Sequence, residues 1–326
     1  MEYTNLGNSG LRVSRIALGC MSFGDISTGF NEWALDEEAA APYFQQAVEL
    51  GITFWDTANV YNFGTSEEFV GRAIKKFSRR EDIVLATKIF FKMHDGPGGS
   101  GLSRKAVMEQ VDASLRRLGT DYIDLYQIHR VDPNTPVEET MEALHDVVKA
   151  GKVRYLGASA MWAWQFSKMQ YVASANGWTR FISMQDQYSA IYREEEQEMF
   201  PLLSDLGVSS MPYSPLGKGR LARPFGEMSF RAEHDPVGAA QFGNANDRDR
   251  GVINAVEAVA AAREVPMAQV SLAWALANPV VASPIVGATK PHHLADAVAA
   301  LDLVLTSDEM EAIRAPYVHR LPVGFV

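Results

Sequence analysis

Eight short apolar runs, at 15–18, 53–55, 83–87, 122–127, 153–158, 181–185, 208–212 and 280–286, recur along this chain with helical patterns between them. They are nearly continuously apolar rather than alternating. That is the pattern of strands covered on both faces, as in a parallel sheet. Helical periodicity fills 36–50, a stretch opening at Ser66, 103–118, 136–150, 162–176, 194–206, 249–263, 266–277 and 291–301. Asp36 caps the first of these, and Gly51, Gly119 and Gly151 stop the first, third and fourth. Two helices between the last two strands is one more than a simple repeat needs. Eight β-then-α units are the number that closes into a barrel, and the expected fold is a (β/α)8 TIM barrel. A doubly wound open sheet is the competing arrangement. The stretch 3–13 reads as a small N-terminal β-hairpin with a Gly/Asn/Ser turn. Long irregular stretches at about 89–102 and 214–248 both follow strands, which places these loops at the C-terminal face of a barrel.

A chain of 326 residues has a length prior of roughly two domains, but α/β barrels run longer as one, so 1–326 is read as a single domain. With 40 acidic residues against 30 Lys and Arg, the formal charge of −10 argues against nucleic acid or an anionic membrane as partner. The one cysteine, Cys20, permits no intrachain disulfide and no multi-cysteine metal site, which suits a reducing compartment; a cytoplasmic location is expected. No basic and apolar leader opens the sequence. No apolar run approaches the roughly 18 residues of a membrane span.

Polar residues at three successive strand ends carry chemistry. Asp56 follows Thr53-Phe54-Trp55, with Tyr61 five residues on; Lys88 follows the third strand and His129 the fourth. Neighbouring strands lie about 4.8 Å apart, so such residues can meet. A phenol titrates near 10, and an adjacent ammonium lowers that value. A carboxylate holds the ammonium charged, and a histidine across the pocket can hydrogen-bond a carbonyl oxygen. Together they suit proton delivery to a carbonyl oxygen, with no metal.

The segments that hold these residues resemble the aldo-keto reductase family. Asp56-Thr57-Ala58-Asn59-Val60-Tyr61, followed by Gly64-Thr65-Ser66-Glu67, is similar to the family's Asp-Thr-Ala-x-x-Tyr core and its Gly-x-Ser-Glu. The run from Asp121 to His129 resembles its fourth-strand motif, and Tyr213-Ser214-Pro215-Leu216-Gly217-Lys218-Gly219-Arg220-Leu221 the segment after its seventh strand. The resemblance spans about residues 3–315. It implies a (β/α)8 barrel that uses NADP(H), without a metal, to reduce a small-molecule aldehyde or ketone. It further implies Tyr61 as general acid, Lys88 as the cation tuning it, Asp56 as the partner of Lys88, and His129 as the group orienting the carbonyl.

For the cofactor, the resemblance implies contacts from Gly19, Met21 and Asp56, with Ser159 and Gln185 meeting the nicotinamide carboxamide. Ala160 stands where the family usually has asparagine, leaving that amide contact to a water or to nothing. Tyr213 would stack on the nicotinamide ring. Ser214, Leu216, Gly217 and Lys218 would run along the pyrophosphate. Gly287, Thr289, Lys290 and His293 would face the adenosine 2′-phosphate, with His293 where many members carry arginine and Ala297 where they carry asparagine. A phosphate facing one lysine and a neutral histidine is held less tightly than one facing an arginine fork.

Phe23, Trp33, Phe90, Phe91, Met161 and Trp162 fall in loops expected to ring the mouth, which points to an apolar or aromatic substrate. The run Gly96-Pro97-Gly98-Gly99-Ser100-Gly101 fits a dinucleotide fingerprint only formally; it sits in the third unit and contains proline, so it reads as a loop near the mouth. Glu194-Glu195-Glu196 reads as a solvated helix start, His292-His293 as no metal site for want of a third ligand, and Cys20 as a packing residue. Two rival functions remain: a Schiff-base aldolase using Lys88, and a non-enzymatic NADP(H)-sensing subunit.

Overall fold

A computed structural model describes residues 1–227 and 247–322. Eight parallel strands follow one another around a single sheet: β3 (Ala17–Gly19), β4 (Phe54–Asp56), β5 (Val84–Ile89), β6 (Ile123–Ile128), β7 (Val153–Ser159), β8 (Phe181–Gln185), β9 (Ser209–Ser210) and β10 (Ile285–Gly287), with β10 paired back onto β3. The other side of the last strand's segment meets β9: Ser210 N donates to the Val280 carbonyl at 2.8 Å, Ala282 N to the Ser210 carbonyl at 2.8 Å and Ile285 N to the Pro212 carbonyl at 2.9 Å. These bonds close the barrel. The seventh and eighth strands are shorter than the expected 208–212 and 280–286 because Pro212 and Pro284 lack the N–H a ladder needs.

Helices cover the outside: α1 (Glu37–Glu49), α2 (Thr65–Phe77), α3 (Arg104–Leu118), α4 (Val137–Lys149), α5 (Ala163–Ala175), α6 (Met199–Leu206), α7 (Asp247–Arg263), α8 (Met267–Leu276), α9 (His293–Ala299) and α10 (Ser307–Arg314). Their starts follow from local chemistry. Asp36 accepts from Ala39 N, and Ser103 from Ala106 N, each satisfying a first-turn donor. The C-terminal helix α10 is absent from the sequence reading, although Thr306 and Glu309 form a reciprocal capping box that announces it. The irregular stretch expected at 214–248 is described only as far as residue 227 and again from 247; its remainder lies outside the described residues.

Two apolar cores result. One lies between strands and helices; the other fills the barrel interior with Leu6, Val13, Ala17, Phe54, Ala86, Leu125, Met211, Ala282 and Ile285. Leu6 and Val13 belong to the N-terminal hairpin, β1 (Tyr3–Asn5) antiparallel to β2 (Arg12–Ser14), which stops the N-terminal end of the barrel. At its turn Gly7 sits at φ +57°, where a Cβ would stand 2.4 Å from the Ile182 carbonyl oxygen.

The expected helix over 194–206 is broken into a 3₁₀ turn at Glu194–Glu196 and α6. Nor is the glutamate run solvated. Glu194 and Glu195 are buried, and Glu194 Oε1 accepts from the Tyr317 hydroxyl at 2.6 Å and Arg320 N at 2.8 Å. Glu196 takes Arg193 Nη2 at 2.6 Å and the Tyr188 hydroxyl at 2.6 Å. The chain beyond α10 folds back over this turn and supplies the donors of Glu194.

Mid-helix Gly71 in α2 is set by close helix contact, since a Cβ there would lie 2.1 Å from the Leu118 carbonyl oxygen of α3. Helix propensity alone would make Gly71→Ala stabilising. The contact reverses that sign: the variant is expected to lose about 1–3 kcal/mol in urea or thermal unfolding, the usual scale of overpacking.

Candidate active site

The C-terminal end of the barrel gathers the polar residues. Asp56 ends β4, Lys88 lies within β5, and His129 comes one residue after β6. The Lys88 ammonium is completely buried, and its three protons meet three acceptors: Asp56 Oδ2 at 2.6 Å, the Thr57 carbonyl at 2.8 Å and the Tyr61 hydroxyl at 3.3 Å. The other Asp56 oxygen accepts from Gln127 Nε2 at 2.9 Å and Gln185 Nε2 at 3.0 Å. Burial disfavours the ammonium, but the Asp56 carboxylate and then the Tyr61 oxygen more than offset it, so the Lys88 pKa is raised.

The phenol departs from expectation. Burial, the largest influence, and the Asp56 carboxylate raise the Tyr61 pKa against the lowering by the Lys88 ammonium and the Arg130 guanidinium, and the net direction is upward. The lysine moderates the shift but does not reverse it. His129 is 8% exposed, with Nδ1 unpartnered among the described residues. Burial, then Lys88 and Arg130, hold its pKa well below the usual imidazole value, so the ring is neutral. The Tyr61 and His129 rings meet edge to face with centroids 5.8 Å apart. All four expected residues therefore share one pocket.

Tyr61 is delivered by an unusual turn. Asn62, Phe63 and Gly64 follow it with φ of +46°, +51° and +97°, three successive left-handed residues. Only glycine occupies that region freely, and asparagine is the next most tolerant. The turn is anchored on both sides. Thr65 Oγ1 donates to the Asn62 carbonyl and accepts from Asp25 N, both at 2.9 Å. Ser66 Oγ donates to the Cys20 carbonyl at 2.8 Å. Buried Glu67 takes Thr87 Oγ1 at 2.6 Å and Arg117 Nε at 2.6 Å, fixing the start of α2 to the residue before Lys88.

The remaining expected cofactor residues form two groups. Ser159 and Gln185 pair in register across β7 and β8, and Ser159 Oγ donates to the Gln185 carbonyl at 2.8 Å. Both Gln185 amide protons are engaged, by Asp56 and by Gln127 Oε1 at 3.2 Å, so its role toward another amide is as acceptor. Ala160 has a left-handed φ of +43°, a conformation that asparagine adopts more readily than alanine. Tyr213 is half-buried with its hydroxyl buried and unpartnered among the described residues. The backbone after it bends through left-handed φ at Ser214 (+54°), Gly217 (+55°), Lys218 (+56°) and Gly219 (+91°), a tight curl next to the half-buried Leu216.

The second group lies past β3 and β10. Gly19 pairs with both Asp56 and Gly287, and Met21 follows in a short 3₁₀ turn. Thr289 is half-buried and Lys290 exposed, and Thr289 N donates to His293 Nδ1 at 3.3 Å. Burial, helped by His292 and Lys290, lowers the His293 pKa to about 4, so this histidine brings no positive charge at neutral pH.

Of the rim residues expected, Phe23 and Met161 lie fully buried in the core instead; Phe23 packs on Phe44 at 4.8 Å, beneath α1, because its backbone bridges to Leu35 and turns it inward. Trp33 is also buried, Phe90 and Phe91 are half-buried and in edge contact at 5.2 Å, and Trp162 is largely exposed. Cys20 is buried, and its thiol is pushed up by burial and Asp56, consistent with packing. Gln127 was missed. It is a polar residue two before His129 in a largely apolar strand, hence on the same face, and that spacing was the available signal. No cluster of three or more metal-binding side chains exists among the described residues. No helix among them is long and apolar enough to cross a membrane.

The model of the Aldo/keto reductase family matches residues 15–317. The chain is 44% identical to the versiconal hemiacetal acetate reductase of Aspergillus parasiticus, with 98% of this chain and 97% of that protein covered. It is 42% identical to an aldo-keto reductase of Fusarium vanettenii, over 97% of this chain and 92% of the other. A Schizosaccharomyces pombe protein provisionally named an aryl-alcohol dehydrogenase is 40% identical over 97% of this chain and 95% of its own length. With that coverage, a closed parallel barrel and Asp56, Lys88, Tyr61 and His129 gathered at its C-terminal end, the chain belongs to the aldo-keto reductase family.

Proposed function

We propose that this oxidoreductase is an NADPH-dependent reductase of aldehydes and ketones, reversible to alcohol oxidation, with Tyr61 as the proton donor. The observation that carries the reading is the hydrogen-bonded line from Asp56 through Lys88 to the Tyr61 hydroxyl, with neutral His129 beside it. NADPH, when bound, supplies the hydride.

The chain's own residues do the rest. His129 donates a hydrogen bond to the substrate oxygen and orients it. Tyr61 hands its proton to that oxygen as negative charge develops there. The Lys88 ammonium stabilises the phenolate left behind, and Asp56 with its two glutamine donors keeps the ammonium in place. The residues present suit a nicotinamide dinucleotide: Ser159 and Gln185 offer acceptors to a carboxamide, Tyr213 an aromatic face, and the curl through Ser214, Gly217 and Lys218 a tight backbone cradle for a pyrophosphate. Lys290 and Thr289, with Gly287 allowing close approach, are proposed for the 2′-phosphate. A cytoplasmic workplace accords with the lone buried cysteine.

The relatives' names, an aryl-alcohol dehydrogenase among them, support aromatic carbonyl compounds as the substrate class, as do the half-buried rings of Phe90 and Phe91. The aldolase reading is weaker, because a fully buried lysine held as an ammonium with all three protons engaged is a poor nucleophile. A purely sensing role would not require an intact proton-delivery group.

Tyr61→Phe is expected to lower kcat for carbonyl reduction by about two decades, the usual scale for losing a general acid, while NADPH binding measured by fluorescence persists. Full turnover in that variant would remove Tyr61 from its role. The raised phenol pKa sets the sign of the pH response. Reduction needs the protonated phenol and should stay level through neutral pH, whereas alcohol oxidation needs the phenolate and should climb steadily as pH rises toward 10 and beyond. Lys290→Met should weaken NADPH and spare NADH in titrations; equal losses would show that the lysine does not face the 2′-phosphate.

A further inference from the structure

Arg130 directly follows His129, and nothing in the reaction above uses it. Its Nη1 donates to the His129 carbonyl at 2.5 Å, and its guanidinium lies over the Phe91 ring, 5.6 Å from the centroid. Phe91 meets His129 edge-on at 4.9 Å, and His129 meets Tyr61 at 5.8 Å. The charge thus stands at one end of an aromatic wall whose other end is the proton donor. Its field reaches Tyr61, His129 and Tyr213; it adds to the lowering of His129 and opposes the burial that leaves both phenols raised.

Arg80 and Arg117 are each matched by an acid, Asp124 at 2.7 Å and Glu67 at 2.6 Å, whereas Arg15, also half-buried, spends its donors on three backbone carbonyls. Arg130 is half-buried and makes no ion pair among the described residues. The charge on Lys88 is already balanced by Asp56, whereas Arg130, next to His129, has no acidic partner among the described residues. A guanidinium has five donors in a planar fork, and a single bond to a backbone carbonyl leaves most of them for a ligand. The complement of such a fork beside flat rings is a planar molecule carrying a carboxylate.

We propose that Arg130 is a specificity-determining residue that binds a carboxylate on an aryl aldehyde or ketone and so holds its carbonyl against Tyr61 and His129. This deepens, and rests on, the reductase reading. The test uses the full-length protein with NADPH and the 2-, 3- and 4-carboxybenzaldehydes, each beside its uncharged methyl ester. For at least one isomer the wild type should favour the acid over the ester in kcat/KM. In Arg130→Met that acid-to-ester ratio should fall about tenfold or more, chiefly through KM of the acid, the scale expected for a charge-assisted hydrogen bond. Arg130→Lys, which keeps the charge but loses the fork, should retain part of the preference and guards against a folding defect.

Esters reduced normally with acid-to-ester ratios that do not respond to Arg130→Met would overturn the inference and leave the reductase reading standing. A loss of NADPH affinity in Arg130→Met matching the loss on both acid and ester would also overturn it, by assigning the arginine to the cofactor. If neither acids nor esters were reduced by the wild type, the reductase reading and this inference would fall together.

Discussion

An ammonium without solvent is tolerable inside a protein only when each proton finds an acceptor and an opposite charge lies beside it. Lys88 meets both conditions inside a closed sheet, and those conditions organise the end of the barrel. Asp56 must end its strand where it faces Lys88, and the free Asp56 oxygen must itself be satisfied, which brings Gln127 and Gln185 inward from β6 and β8. Residues from four strands are therefore tied by a single charge. The Tyr61 hydroxyl accepts from this ammonium, so its own proton is not used within the network.

Much of this was legible in the sequence because it rests on local signals. The strand–helix alternation, the polar residues at strand ends and the caps at Asp36 and Ser103 are short-range features, and the structure keeps their order, with both caps in place. What was misread depended on distant chain. Glu194 opens what looks like a solvated run of acids until Tyr317 and Arg320 return and bond it. Phe23 looks like a rim residue until the bridge to Leu35 turns it under α1. The direction of the Tyr61 shift was also beyond sequence, because neighbour identity reveals an ammonium but not the depth of burial it must counter.

The turn after Tyr61 shows where local rules yield. Left-handed backbone at Asn62 and Phe63 costs on the order of 1–2 kcal/mol per residue for an ordinary side chain. It persists because Thr65, Ser66 and Glu67 fasten the next helix to three separate segments. The Gly-x-Ser-Glu pattern that marks the family in sequence thus has a mechanical meaning: its members clamp the helix that aims the phenol.

The hairpin that stops the N-terminal end has a consequence for traffic through the molecule. Leu6 and Val13 seal one end of a barrel whose interior is packed with apolar side chains, so a molecule reaching the polar group comes from the opposite rim. Whatever settles deepest must arrive first and leave last, and the water it displaces has to slip out past it. Drying of the floor is therefore coupled to filling of the mouth, and a molecule that seats only halfway leaves the phenol wet.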